Sequence, residues 1–388
     1  MERRPLLTSM DDDYASYALS QRRSFEHAFP AILEAALSLD GEPVLRVLDQ
    51  GAADGLNSHL LIGVLAAMRA GRPLVYSFVD MPTNAWAVAA RHLAAHPGLG
   101  GRLAVVPAAD SPRARDLGSG PHVESADDHV AEVEQALAGG ASTVVGLAGI
   151  PLHAAPGYAD GQVHLAITGT TMHWVDAPPH LGSTGSVFPG YVAHRDDAER
   201  AAWRDQAARQ WDALVRMRTR ELAPGGWFIA ALPASDTGDP DRAGLYHQIV
   251  RDMNDVLAQW VADGTIAQAT ADAVVTPVWM RTPEEIRAPF ASGGGHVDGL
   301  VLERVELFRL DNPYWDDEPQ VFAQRFLRSC VAWGGPLFLR AFAREGDDRA
   351  QPLLDAFVAE LEARVAADPD RHRWDYMEAL VVARKTSG

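Results

Sequence analysis

Residues 44–58 read Val44-Leu-Arg-Val-Leu-Asp-Gln-Gly-Ala-Ala-Asp-Gly-Leu-Asn-Ser58. The apolar run Val44 to Leu48 ends on Asp49. A small-residue loop with Gly51 and Gly55 follows, and His59 to Ala70 has helical character. A buried strand, a tight turn and a helix N-terminus, in that order, open a nucleotide-type α/β fold. The glycines let backbone approach a ligand where a Cβ would clash. Asp49, at the carboxyl end of the strand, suits a cationic or hydroxylated group. The spacing is not Gly-x-Gly-x-x-Gly, so a bound pyrophosphate is poorly supported. S-adenosylmethionine has no phosphate and carries an ammonium group, and it fits this loop better. An ordinary strand-to-helix turn is the alternative these residues leave open.

The 388 residues are 47% hydrophobic, enough for a large core in one big domain or two. With 34 basic and 52 acidic residues the net charge is −18, which argues against nucleic acid or an anionic membrane as the main partner. Cys330 is the single cysteine, so there is no disulfide framework and a reducing cytoplasm is natural. No apolar run reaches membrane-spanning length, and Met1-Glu-Arg-Arg-Pro5 lacks the apolar segment of a secretion signal.

Outward from the first strand, Tyr14 to Leu39 has helical spacing, with Pro30 placed to kink or split it. Leu74 to Val79 reads as a second strand closing on Asp80, an acidic position that commonly holds ribose hydroxyls and equally serves as a helix cap. Trp86 to His96 reads as a helix and Arg102 to Pro107 as a strand. Residues 108–129 read as a surface loop, Val130 to Leu137 as a helix, and Thr143 to Leu147 and Val163 to Ile167 as strands. Gly182 to Gly190 reads as a loop of small residues, Asp196 to Leu222 as a long helix and Trp227 to Leu232 as a strand. This alternation implies a mainly parallel, Rossmann-like sheet covered on both faces. Residues 241–292 read as mostly helical, Val301 to Leu310 as a strand, Pro319 to Arg344 and Gln351 to Ala367 as helices, and Ala379 to Ala383 as a closing strand. The expected α/β core is therefore 1–235 with 298–312 and 370–388. A helical cap, 236–297 and 313–369, covers its rim.

Five stretches in order resemble motifs of the SABATH methyltransferases. These are the plant salicylate, jasmonate and caffeine-pathway enzymes, with bacterial members, of which this chain would be one. The family's Ser-Tyr-Ala-x-Asn-Ser-x-x-Gln stands here as Asp13-Tyr-Ala-Ser-Tyr-Ala-Leu-Ser-Gln21. Its Asp-Leu-Gly-Cys-Ser-x-Gly-Pro-Asn stands as Asp49-Gln-Gly-Ala-Ala-Asp-Gly-Leu-Asn57, and its Asn-Asp-Leu-Pro-x-Asn-Asp as Val79-Asp-Met-Pro-Thr-Asn-Ala85. Its Ser-Leu-His-Trp stands as Thr171-Met-His-Trp174, and its Pro-x-Tyr-x-Pro-Ser-x-x-Glu as Pro277-Val-Trp-Met-Arg-Thr-Pro-Glu-Glu285. No single piece is specific; the ordered set is.

The resemblance implies a class I methyltransferase sheet, S-adenosylmethionine as cofactor, a small carboxylic acid as acceptor and a homodimer. It implies that Asp49 and Asn57 hold the methionine part of the cofactor, that Asp80 takes the ribose, and that Met81 lies beside the adenine. Tyr14, Gly51, Gly149 and Ile150 are carried with them on the cofactor side. Gln21 and Trp174 match the pair that grips the acceptor carboxylate, and Trp279 matches an aromatic of the pocket wall. Tyr246, His247, Leu327 and Cys330 fall more loosely where the family lines its acceptor pocket. His173 belongs to the same motif as Trp174, but neighbours on an extended segment point to opposite faces, which makes it structural and not a base. The chain departs from the family at Ala18, where a cofactor-contacting serine is usual, and at Gly149-Ile-Pro-Leu152, where Gly-Ser-Phe-Tyr is usual.

Chemically the set is coherent. A carboxylic acid with a reference pKa of about 4 is already a nucleophile at neutral pH and needs no general base. The indole N–H of Trp174 and the amide N–H of Gln21 are donors that fix an anion without adding a charge to rival the sulfonium. Other readings stay open on residues alone. Trp174 suits a core and Gln21 a solvated helix face. Methylation of a ring nitrogen or phenol, with His247 as base, is a second activity. A nicotinamide-dependent oxidoreductase and a non-catalytic cofactor-binding protein are others. The histidines and the lone cysteine make no metal-ligand pattern.

Overall fold

A computed structural model of the chain describes residues 17–95, 103–107, 125–151, 155–176, 187, 197–236, 247–291, 299–373 and 376–386. The expected loop at 182–190 lies almost wholly outside these residues, as do Tyr14 and most of the expected loop at 108–129; the end of that loop is instead helical, because Ser125 caps a helix that begins at Ala126 and not at Val130.

The strands are β1 (Leu45–Gln50), β2 (Leu74–Asp80), β3 (Leu103–Val106), β4 (Thr143–Gly149), β5 (Val163–Gly169), β6 (Leu222–Pro233), β7 (Leu300–Leu310) and β8 (Tyr376–Lys385). They form one sheet in the order β3-β4-β2-β1-β5-β6-β8-β7. The first six run parallel, and β8 is antiparallel to both β6 and β7. The sheet is therefore mixed at one edge. β1, β2, β4 and β5 are buried along almost their whole length, the mark of strands covered on both faces.

One face carries α1 (Leu19–Ser38), α2 (His59–Met68) and α3 (Trp86–Ala94), and the other α4 (Ala126–Ala138) and α5 (Asp197–Glu221). α1 buries Ser24, Phe25, Ala28, Ala31, Ile32, Ala35 and Ala36, the i, i+3, i+4 stripe of an amphipathic helix. Pro30 does not split it. Pro30 and Glu26 both lie exposed, so the carbonyl left without an amide partner faces water. The remaining helices are α6 (His247–Ala262), α7 (Gln268–Ala271), α8 (Pro283–Arg287), α9 (Pro319–Phe342) and α10 (Asp347–Ala367). α6, α7, α9 and α10 share a core built on Met253, Trp260, Phe326, Phe338 and Phe357. Each fully buried Phe there contributes about 1.5–3 kcal/mol.

Two strands extend beyond their apolar runs. β6 begins at Leu222, paired to Val163, and passes through Gly225 at φ +80°. β8 begins at Tyr376, three residues before the run Ala379 to Ala383, because Glu378 is buried at 2% exposure within it. Glu378 pairs with Pro233 on one side and Phe308 on the other. Burial pushes its carboxyl up to about 8; Ser24 of α1 faces it and offsets the shift only in part.

The sign of this shift fixes a pH dependence. The unfolded glutamate releases its proton near 4.5 and the folded one near 8. Stability from this group is therefore full below about 4.5 and is lost as pH rises through about 8. Glu378→Gln should flatten that decline, leaving urea midpoints near pH 4.5 little changed and raising them at pH 8. Parallel pH profiles for wild type and variant would reject the assignment.

Candidate active site

The parallel strands end on one rim, and the loop after β1 is folded by what that rim offers. Gly51 N–H donates to Val79 O at 2.8 Å. The Thr168 and Thr171 hydroxyls both donate to Gln50 O at 3.0 Å. Gly51, Ala53 and Gly55 have φ of +74°, +50° and +75°. Ala53 is a left-handed alanine, which needs external support. Its N–H donates to Asp80 Oδ2 at 2.8 Å, and its carbonyl accepts from Asn84 Nδ2 at 2.6 Å. Met81 N–H donates to Asp80 Oδ1 at 2.7 Å, so both Asp80 oxygens are aimed by backbone. Gly149 is the register partner of Asp80 at the end of β4, and Ile150 is fully buried beyond it.

Asp49 is 2% exposed. Its Oδ2 accepts from Ser58 Oγ at 2.6 Å and Tyr76 OH at 2.8 Å, and its Oδ1 makes no hydrogen bond among the described residues. Burial raises its pKa to about 6 against those two bonds, and Asp80 adds to the rise. A carboxylate in that position has an unmet demand for a cation. Asn57 Oδ1 accepts from Arg22 Nε at 3.0 Å, which ties the loop to α1. Ser58, Tyr76 and Arg22 were not singled out by sequence. A tyrosine hydroxyl inside the fully buried part of β2, Leu74–Val79, was the readable signal for the second.

Across the rim, residues 172–176 are fastened to 277–281. Val175 N–H donates to Pro277 O at 2.7 Å and Trp279 N–H to His173 O at 2.8 Å. Buried Arg281 donates to Met172 O at 2.5 Å and Ala207 O at 2.9 Å, with its guanidinium over the Trp211 ring. Gln210 Nε2 holds Trp174 O at 2.7 Å. The Trp174 side chain lies in the cap core with Leu327 and Cys330 of α9, and no described residue accepts its indole N–H. Leu19, two residues before Gln21, packs against the same core, and its N–H donates to the Tyr314 hydroxyl at 3.0 Å. Gln21 Oε1 accepts from Ser20 Oγ at 2.8 Å, which leaves Nε2 as the donor end of the amide.

His173 differs from its sequence reading in geometry. The chain turns at Met172–His173 and is not extended, so the His173 and Trp174 rings sit 5.4 Å apart and not on opposite faces. Burial and then Arg281 drive the imidazole down to about 3, so it is neutral and weakly basic. Trp279 packs with Val175, Trp203, Ala207 and Val275, and its indole N–H donates to Glu285 Oε2 at 3.0 Å. It stands apart from the cluster that contains Trp174. Tyr246 lies outside the described residues, and of His247 only the backbone, opening α6, is described.

The glycine positions are testable independently of any ligand. A Cβ on Gly55 would land against the Phe78 ring with φ at +75°, whereas one on Gly41 meets nothing within 4 Å. Gly55→Ala should cost about 1–3 kcal/mol and Gly41→Ala little, measured by urea denaturation. Equal midpoints for the two variants would contradict the loop geometry.

Comparison with known proteins bears on this rim. A family model described as SAM dependent carboxyl methyltransferase matches residues 158–386, more than half of the chain. Gibberellic acid methyltransferase 1 of Arabidopsis thaliana is 24% identical over 219 residues, 50% of this chain and 58% of that protein. Gibberellic acid methyltransferase 2 of the same plant is 22% identical over 171 residues, 41% of this chain and 44% of that protein. The chain thus spans about half the length of the curated relatives it matches. A loganic acid methyltransferase solved with SAH superposes with a TM-score of 0.68 at 15% identity, over 97% of this chain and 96% of that one. That likeness shows a shared fold, the class I methyltransferase sheet with its helical additions. On the family match, the chain belongs to the SAM-dependent carboxyl methyltransferase family.

Proposed function

We propose that this protein methylates the carboxylate of a small, partly apolar carboxylic acid, using S-adenosylmethionine. The reading is supported by two carboxylates, Asp49 and Asp80, at the ends of β1 and β2, and by the uncharged character of the groups we assign to the acceptor: Gln21, the Trp174 indole and a neutral His173. The names of the relatives, which are methyltransferases of gibberellic and loganic acid, support an acid as acceptor.

The loop fits the cofactor on its own evidence. Asp49 Oδ1 is open to an ammonium, Asp80 has both oxygens oriented for vicinal hydroxyls, and Gly51 and Gly55 let the loop close onto Thr171 and Phe78. When bound, S-adenosylmethionine supplies a methyl group on a cationic sulfonium. Asp49 and Asn57 hold the methionine part, Asp80 the ribose, and Met81, Gly149 and Ile150 border the adenine. Gln21 Nε2 and the Trp174 N–H orient the acid, with Leu327 and Cys330 supplying apolar wall and Trp279 supporting the far side. No residue has to remove a proton, since the acid is ionised at neutral pH. The cap, 236–297 and 313–369, excludes water, which favours meeting of an anion and a cation to give neutral products.

The clamp is tested by kcat/KM over a panel of carboxylic acids. Trp174→Phe keeps the ring and removes the N–H, and Gln21→Leu removes the amide. Each should lose about 10- to 150-fold, the worth of one hydrogen bond to a charged acceptor. The double variant should lose less than the product, because both donors hold one group. Full activity of Trp174→Phe on an acid would sink the clamp and favour nitrogen or phenol methylation.

We also infer a homodimer in the cytoplasm, on family resemblance. Light scattering at micromolar concentration should give twice the 41.9 kDa of the chain, and cell fractionation should recover it with soluble cytosolic markers. A monomer mass, or recovery with membranes, would contradict it.

A further inference from the structure

We propose that Tyr314 is a positioning residue for the acceptor clamp: its hydroxyl caps the start of α1 from outside the helix and so sets where Gln21 stands. The proposal rests on the reading of Gln21 as a donor to the acceptor. α1 begins without a capping side chain of its own. The first amides of a helix have no intrahelical partner, and a Ser, Thr, Asp or Asn just before the first turn usually meets them. Here that position is Ala18, which makes no side-chain bond, and both Ala18 and Ser20 are buried. The backbone is also broken there. Tyr17 is helical, Ala18 leaves the helix at ψ +48°, and α1 resumes at Leu19. Such a break orphans a carbonyl on one side as well as amides on the other.

One atom meets both sides. The Tyr314 hydroxyl donates to Tyr17 O, and it accepts from Leu19 N–H at 3.0 Å and Ser20 N–H at 3.4 Å. A hydroxyl can do this because it carries a donor and two acceptor lone pairs on one oxygen. That oxygen is itself held in place. Tyr314 is buried, its N–H donates to Asn312 Oδ1 at 3.0 Å, and Asn312 Nδ2 donates to His372 O at 2.9 Å. The ring lies in the same core as Trp174, 6.2 Å from Phe326, and Ser329 of α9, beside Cys330, stands against the hydroxyl. Gln21 is the third residue of α1, within the turn so capped, and its Oε1 is held by Ser20 Oγ at 2.8 Å. Both proposed donors, Gln21 and Trp174, are thereby referred to one packed body. A first turn that unwinds carries Gln21 away, and a displacement of about 1 Å can cost about 100-fold in an aligned transfer.

The plain alternative is that Tyr314 only fills the core and leaves its hydroxyl on the nearest backbone. A double-mutant cycle separates the two, with kcat/KM for the best acid measured in wild type, Tyr314→Phe, Gln21→Leu and the double variant. Tyr314→Phe keeps the ring and should lose about 10- to 100-fold. In the Gln21→Leu background the same change should cost less than about twofold, because the group it positions is gone. Losses that multiply, or full activity of Tyr314→Phe, would overturn the proposal. Full activity of Gln21→Leu would instead overturn the clamp reading on which it stands. Amide hydrogen exchange gives a second readout that does not depend on turnover. Tyr314→Phe should speed exchange at Leu19 and Ser20 and leave α9 near wild type. Should the variant melt early, Ala18→Ser added to it gives α1 a capping hydroxyl of its own and should slow those two amides again. Exchange that rises equally in α1 and α9, or no response to Ala18→Ser, counts against the proposal.

Discussion

The hydrogen bond from Ala53 N–H to Asp80 Oδ2 is the contact on which the site turns. It spans the ends of two neighbouring strands and holds an alanine left-handed. With Gly51 N–H on Val79 O and Asn84 on the Ala53 carbonyl, it folds the loop between Gly51 and Gly55 back over the end of β2. The same bond, with its partner from Met81, sets the direction of the Asp80 carboxylate. One interaction thus shapes the backbone cradle and aims the group that lies in it. Its cost is a buried acidic charge beside Asp49, and both carboxyls are raised by the burial that makes them useful. A bound cation relieves Asp49, so ligand and loop are coupled electrostatically.

The proposed acceptor side is organised by a different device. Residues 172–176 belong to the sheet's rim by sequence, yet they are held by 277–281 and by α5 through Gln210 and Arg281. Trp174 is then presented to the cap core with its carbonyl occupied and its N–H unspent. Tyr314 does the same for the start of α1, holding Leu19 and Ser20 by their amides. Cap, helix and rim are therefore tied to one another, and the placement of Gln21 depends on a residue almost 300 positions away.

Much of this was legible in the chain. Strand and helix positions followed from apolar runs and their periods, and Asp49, Asp80, Asn57 and Trp174 were singled out through motif and order. What was not legible were the partners. Ser58, Tyr76, Arg22, Gln210 and Arg281 act across the fold, and no local pattern reveals which buried polar side chain meets which. The turn at His173 was missed because Thr170 is a left-handed non-glycine, φ +58°, inside a stretch that reads as extended. The early start of β8 was missed because a glutamate normally ends an apolar strand. Here the sheet accepts it as a neutral acid.

That acid gives the order of assembly a chemical signature. In this sheet β7 pairs only with β8, and β8 is synthesised after every other strand. Until it emerges, β6 and β7 flank an open seam. The segment that fills the seam carries an ionised glutamate in water at neutral pH and a protonated one once in place. Closing the sheet therefore takes up a proton from the solvent, and the zipper that joins the two edges is also an acid–base reaction.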